Sequence, residues 1–382
     1  MTETDPATDP QPDGGTEPST DEATSGSRLS RVANWRVGGF LALLITAAAI
    51  PYVREQFLTF IAAEILIFGI VALGFNVLLG YTGLLSFGHA AFFGGAGYTV
   101  GLLLVYTDIQ SFLLLAGSAL VVVFLLSVVM GYVSVRHTGV YYALLMLALA
   151  QIIYLAVSKS YGLTGGTDGL RISAPVILGV NYAETIGYNL YLQFILYLII
   201  VATFATVVVL LYKMMNSPFG LTLQTIRENP QRAAAIGIPV KRYRWYASVL
   251  SGMVVGIGGL LHTFLIGRVT PGATLHWTLS GEIAFMTILG GPATFFGPVV
   301  GAGVFIVLRT IVLDTVPDAW LLVLGTVLYL VVVFFPSGIY GGLRNVVTSM
   351  QQQGVKATLR ASRTQQTEET SSTAPTQGGE QS

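Results

Sequence analysis

The sequence predicts an all-α, polytopic integral membrane protein of about ten transmembrane or re-entrant helices, and three observations carry that prediction. Of 382 residues, 53% are hydrophobic and only 10% are charged. Mean hydropathy is +0.71, whereas soluble domains carry about 25% charged residues. The apolar residues fall in blocks close to the roughly 20 residues that span a hydrocarbon core of about 30 Å. The cationic residues between those blocks gather on alternate connections, which is the positive-inside bias.

Taken in order, the blocks run at about 37–53, 57–79, 84–106, 111–132, 138–158, 190–212, 246–266, 275–290, 295–312 and 319–335. Arg28, Arg31 and Arg36 precede the first block and place the N-terminus in the cytoplasm. Alternation then puts Arg136, the 213–245 loop, and Arg344, Lys356, Arg360 and Arg363 on that same side. Only Arg54, Lys159, Arg171 and Arg268 face outward. Both termini are thus predicted to be cytoplasmic. The eighth block is short and runs through Gly290, Gly291 and Pro292 into the ninth, so the pair reads as a kinked or re-entrant hairpin whose parity preserves the orientation. A weak echo links 90–104 with 293–308, in the sense of an internal repeat or of two similar glycine-rich packing faces.

Three parts follow from this division. Residues 1–35 form an acidic tail, with seven carboxylates and no lysine or arginine in the first 27 positions, expected to be disordered and cytoplasmic. It has neither the positive start nor the short apolar run of a cleavable signal. Residues 36–343 form the membrane domain, and 344–382 a polar, Gln/Thr-rich tail, again disordered. The lack of cysteine excludes disulfides, thiol catalysis and thiolate metal sites.

The long polar interruption is KMMNSPFGLTLQTIRENPQRAAAIGIPVKRYRW, from Lys213 to Trp245. Ser217 before Pro218 and Asn229 before Pro230 each read as an N-cap followed by proline at the first helical position. The first helix, 218–228, makes a rod of roughly 15 Å. The second presents Ala233, Ala234 and Ala235 with Ile236 and Ile238, is flanked by Arg227, Glu228 and Arg232, and ends at Gly237. Small residues that allow close approach, apolar anchors and a charged rim suit a helix laid into a partner's groove. An amphipathic helix resting on lipid headgroups is the competing reading.

The string RENPQRAAAIGIPVKRYRW resembles the EAA loop of ABC importer permeases, the cytoplasmic lever that docks on the ATPase. GYTGLLSFGHAAFFGGAGY at 80–98, TGGTDGL at 164–170 and EIAFMTILGGPATFFGPVVGA at 282–302 are similar to the branched-chain amino acid and amide branch of that family, in family order from about Phe57 to Leu343. One departure is that residues 229–232 separate Glu228 from Ala233, where the family keeps its acidic residue and alanines closer. The resemblance implies a transport subunit rather than an enzyme, in the cytoplasmic (inner) membrane and surrounded by lipid. It implies ATPase coupling through Arg227, Glu228, Arg232, Ala233, Ala234 and Gly237. Its implied partners are two ATP-binding subunits, a second related permease and an extracytoplasmic substrate-binding protein, with no nucleic acid. ATP and Mg would sit on the partner subunits, and this chain would bind no cofactor or metal.

Three further constellations are candidates for the substrate path. Gly80–His89 opens a membrane block with small residues, hydroxyls and an imidazole, so Ser86 and His89 are polar contacts along the path or parts of a tight turn. Thr164, Gly165, Gly166, Thr167 and Asp168 lie in the longest outward loop and suit a backbone nest for a carboxylate, with Asp168 answering an ammonium group. The alternative is a glycine turn capped by Asp168. Glu64, Glu282 and Arg309 fall in apolar blocks, where they must face protein, water or one another, and Glu282 is taken as a path residue. The expected activity is an ATP-driven branched-chain amino acid permease. A urea or short-amide importer is its alternative, and an ion-coupled secondary transporter or a passive channel are rivals from other classes.

Overall fold

The computed structural model describes residues 51, 55–107, 109–292, 294–315, 319–334 and 338–342. Both predicted tails, and the predicted first block except Pro51, lie outside the described residues.

Chain order is simple. Helices α1 (Gln56–Thr82), α2 (His89–Tyr106), α3 (Phe112–Ser134) and α4 (Val140–Lys159) each match one predicted block. A loop carrying β1 (Leu170–Arg171) leads to α5 (Tyr188–Met215). The polar interruption folds as α6 (Pro218–Glu228) and α7 (Pro230–Ala235). Then come α8 (Val240–Ile266), β2 (Arg268–Val269), α9 (Trp277–Gly290), α10 (Gly297–Thr315) and α11 (Trp320–Phe334).

Among the described residues seven helices are long and apolar enough to cross a membrane: α1 to α5, α8 and α10. Among the described residues the expected count of about ten transmembrane or re-entrant helices is thus met by seven full spans and shorter helices, and the predicted first block lies outside them. Helix α9 has 14 residues and α11 has 15, so α9 reaches only about 21 Å at 1.5 Å per residue. Gly291 sharply ends α9, and Gly290 and Gly301 let it pack backbone to backbone against α10.

The centre of the bundle is α1 against α8, each with 67% of its spanning window buried, compared with 22% for α3 and α4 at the periphery. Close approach explains why α8 is rich in glycine. A Cβ at Gly259 would lie 2.1 Å from the Phe93 carbonyl oxygen of α2, so only glycine lets those backbones meet. Without water as the driving force, such contact packing holds helices together in lipid.

The end of the bundle that carries α6 and α7 is called the loop end below. At the opposite, far end, β1 pairs antiparallel with β2, Leu170 opposite Val269 and Arg171 opposite Arg268. One irregularity lies in α5, whose Tyr191–Leu196 segment is a π-helix. Such segments mark sites where a helix accepts an extra residue rather than ideal geometry.

Candidate functional site

At the loop end, α6 and α7 both form over the predicted residues, but only one of the two predicted side-chain caps is present. Asn229 accepts hydrogen bonds at Oδ1 from the N–H groups of Gln231 (3.1 Å) and Arg232 (3.0 Å), which is side-chain capping of α7. Ser217, expected to do the same for α6, instead donates its hydroxyl to the Met214 carbonyl at 2.7 Å. Proline at the first position removes one N–H that would otherwise need a partner, so α6 starts without a side-chain cap.

Helix α6 is clamped to the bundle by its apolar stripe. Leu223 and Ile226 are fully buried, and the Phe219 ring stacks on Tyr243 at the start of α8 with centroids 5.9 Å apart. Arg227 donates from Nη1 to the carbonyl of Gly80. That carbonyl is one of the last four of α1, which have no partner inside their own helix. A cavity of about 370 Å³ opens beside this bond, lined by Gly80, Tyr81, Gln224, Arg227, Glu228 and Pro292. Asn76 ties the same region to the α9–α10 connection by donating to the Thr294 carbonyl at 3.2 Å.

The alanine run divides. Ala233, expected to face a partner, is fully buried against the bundle itself. A helix of six residues turns by about 100° per residue, so three successive alanines cannot share a face. Ala234 and Ala235 are exposed, and Ile236 beside them is 73% exposed. Arg232 and Glu228 are exposed at the rim. Gly237, at φ +88°, donates its N–H to Ala234, and Ile238 donates to Ala233, which closes the helix end.

The segment between α1 and α2 is a tight turn. Ser86 is buried, and its Oγ accepts from the Gly88 N–H at 3.2 Å. His89 is fully buried. The Ser251 hydroxyl of α8 donates to the Gly74 carbonyl at 2.6 Å, so it accepts from the Nε2–H of His89 at 2.8 Å. This fixes the tautomer and ties α1, α2 and α8 together. Ser280 of α9 caps α2 by accepting from the Ala90 N–H at 2.9 Å. Neither Ser86 nor His89 is reachable by solute in this conformation, and the serines bonded to His89 and to the Ala90 N–H, 162 and 190 positions away, leave no mark in the local sequence.

At the far end, Thr164 is buried and donates to the carbonyls of Val157 and Ser160 at 2.6 and 2.8 Å. Gly165 and Gly166 have φ +69° and +57°. Three N–H groups of the expected nest, those of Thr164, Gly165 and Asp168, already bond to the carbonyls of Ser160, Tyr161 and Gly165. Thr167 and Asp168 are exposed. The Asp168 carboxylate accepts from the Tyr161 hydroxyl at 2.8 Å, and its carbonyl accepts from Arg268 at 2.7 Å. The hydrogen bond to Asp168 raises the Tyr161 phenol above its ordinary value, because losing its proton would set two negative charges together. The loop is a clasp over the β1–β2 pair.

Within the bundle, Arg309 of α10 meets Glu64 of α1 at 3.2 Å. Glu282 of α9 is half-buried nearby, within electrostatic reach of both. Charges at this depth each cost on the order of 3 kcal/mol when unpaired.

Comparisons with known proteins agree with this architecture. A family profile described as "Branched-chain amino acid transport system / permease component" matches residues 57–332. The chain is 25% identical over 315 residues to the high-affinity branched-chain amino acid transport system permease protein LivM of Escherichia coli (strain K12), covering 78% of this chain and 73% of that protein. It is 23% identical to the probable branched-chain amino acid transport permease protein LivM of Methanocaldococcus jannaschii, over 71% of this chain and 89% of that one. A shorter match, 43% identical over 51 residues and 13% of this chain, is to the nucleoside ABC transporter permease protein NupC of Lactococcus lactis subsp. cremoris. No solved structure matches the chain.

Proposed function

The chain belongs to the branched-chain amino acid transport permease family, and from that premise we propose that it is a membrane-spanning permease subunit of an ATP-driven importer for leucine, isoleucine and valine. The observation that carries the coupling role is the helix pair α6–α7. It holds Ile236, Ala234 and Ala235 exposed on a polar loop of a chain otherwise built for lipid. An exposed isoleucine flanked by small residues and a charged rim fits a partner's groove.

In this reading the loop end faces the cytoplasm, as do both termini, and the membrane is the cytoplasmic membrane. Two ATP-binding subunits dock on α6–α7, a second related permease completes the pathway, and an extracytoplasmic binding protein delivers substrate at the far end. ATP and Mg belong to the docking subunits, and this chain performs no chemistry. A push on α7 reaches α6, whose buried Leu223 and Ile226 move with the ends of α1, α5 and α8. Arg227 passes the same displacement to the C-terminus of α1 through the Gly80 carbonyl. Delivery of substrate and binding of nucleotide must favour opposite conformations, since a ligand without differential affinity shifts nothing.

The test is reconstitution. The chain, together with its ATPase, permease and binding-protein partners in proteoliposomes, should accumulate radiolabelled L-leucine only when ATP is inside with the ATPases. Accumulation by the chain alone, or competition by excess urea but not by isoleucine, would refute this reading.

A further inference from the structure

Resting on the permease reading above, we propose that Glu64, Glu282 and Arg309 form a station in the translocation path that holds the ammonium and carboxylate groups of a zwitterionic amino acid.

Depth is the first argument. Glu64 lies eight residues inside the start of α1, Glu282 five inside the start of α9, and Arg309 six inside the end of α10. At 1.5 Å per residue these are about 12, 8 and 9 Å from the far ends of their own helices. Glu64 and Arg309 thus lie at similar depth below the far end, whereas α9 begins deeper, with Ser280 beside Ala90 at the start of α2, so the level of Glu282 is set by its packing on α10.

Proximity is the second. Glu64 Oε1 and Arg309 Nη1 are 3.2 Å apart. In the antiparallel α9–α10 hairpin, Gly301 packs on the Met286 carbonyl, and the Phe285 and Phe305 rings meet with centroids 5.4 Å apart. That register carries Glu282 to the level of residue 305, one helical turn from Arg309. Glu282 itself has no hydrogen bond or ion pair among the described residues. His262 of α8 is a fourth polar group within electrostatic reach of Arg309, and its Nδ1 is buried without a partner among the described residues.

Charge balance is the third. Two carboxyl groups share one guanidinium in a low-dielectric layer, so with both acids ionised one negative charge is left over. The Arg309 side chain keeps 35% of its surface open. A partly open arginine side chain at this depth keeps its charged head off the lipid tails, and in this proposal that head borders a water-filled path or the second permease. A zwitterion answers both features at once. Its ammonium neutralises the surplus carboxylate, and its carboxylate takes the free edge of the guanidinium in a charge-assisted pair. A neutral amide would answer neither, and a simple anion only the second.

The experiment uses the complete reconstituted importer, with radiolabelled L-leucine uptake and ATP hydrolysis read in the same vesicles. Glu282→Gln should lower leucine turnover at least tenfold while the subunits still copurify, and Glu282→Asp should recover part of the loss. The exchange Glu64→Arg with Arg309→Glu keeps the two side chains attracting each other, yet moves each charge to the other helix. It should assemble and remain at least tenfold impaired. Wild-type turnover in Glu282→Gln, or restored transport in the exchange variant, would reduce the pair to a staple between helices and overturn the station. A Glu282→Gln importer that partly dissociates, but whose intact fraction turns over normally, would assign Glu282 to the contact with the second permease and also overturn it. Failure of the wild-type importer to take up leucine would instead refute the permease reading itself.

Discussion

Replacing Arg227 with methionine removes the bond that joins α6 to the end of α1 while keeping a long side chain beside Gly83 and the cavity. Hydrogen bonds to charged groups contribute about 1.5–3 kcal/mol. A cation near a helix C-terminus adds about 0.3–1 kcal/mol through the macrodipole. Arg227 is exposed to water, which screens both contributions, so their sum is discounted to about 1–2 kcal/mol. At 1.4 kcal/mol per tenfold, this is roughly a five- to thirty-fold shift in the equilibrium between linked and unlinked α6. If the link carries the stroke, leucine imported per ATP hydrolysed should fall by a similar factor while the ATPase subunits stay bound. The assay is phosphate release and leucine uptake measured in the same proteoliposomes, with Arg227→Lys expected to recover part of the ratio. An unchanged ratio in Arg227→Met would refute the argument that Arg227 transmits motion.

Three further outcomes are expected. Ala234→Glu places a charge at the exposed face of α7 and should abolish copurification of the ATP-binding subunits while the chain still inserts in the membrane; normal copurification would count against docking there. Ser251→Ala leaves the His89 Nε2–H without a partner and strips the Gly74 carbonyl of the second bond it accepts beside its own helical one. At about 1–3 kcal/mol for an unsatisfied buried group, and roughly 2–4 °C per kcal/mol in proteins of a few hundred residues, the thermal midpoint in detergent should drop by several degrees. An unchanged midpoint would contradict the clasp. At the far end, the Tyr161 phenol must be protonated to donate to Asp168, and its value is raised in the folded chain. The tie is therefore complete below about pH 10, the ordinary tyrosine value, and is lost as pH rises through the raised one. Protease cleavage within 161–170 should increase only above pH 10 in the wild type and should be pH-independent in Tyr161→Phe; a wild-type increase near neutral pH would contradict this account.

The helices were legible because a membrane enforces length. Nine described helices of the bundle fall on predicted apolar blocks, and Gly-Gly-Pro at 290–292 announced the α9–α10 hairpin. Proline at the first position located α6 and α7 to the residue. What stayed hidden was orientation and pairing. Three identical alanines gave no clue that Ala233 turns inward while Ala234 and Ala235 turn out. The partners of His89 and Glu64 lie 162 and 245 positions away, on helices whose packing angle no periodicity encodes. The π-helical segment Tyr191–Leu196 has a composition like that of any apolar helix, so nothing in it signalled the extra residue. Arg227 and Gly80 were each singled out, yet their bond is a matter of tertiary geometry.

The central claim, that α6–α7 is where ATP-hydrolysing partners grip the chain, is most directly tested by labelling a single cysteine. The chain has no cysteine of its own, so Ile236→Cys creates one reporter at a position 73% exposed. In membranes holding the chain alone, a membrane-impermeant maleimide should label it from the cytoplasmic side only, and assembly with the ATP-binding subunits should protect it. Labelling from the outside, or an equal rate with and without those subunits, would contradict the account.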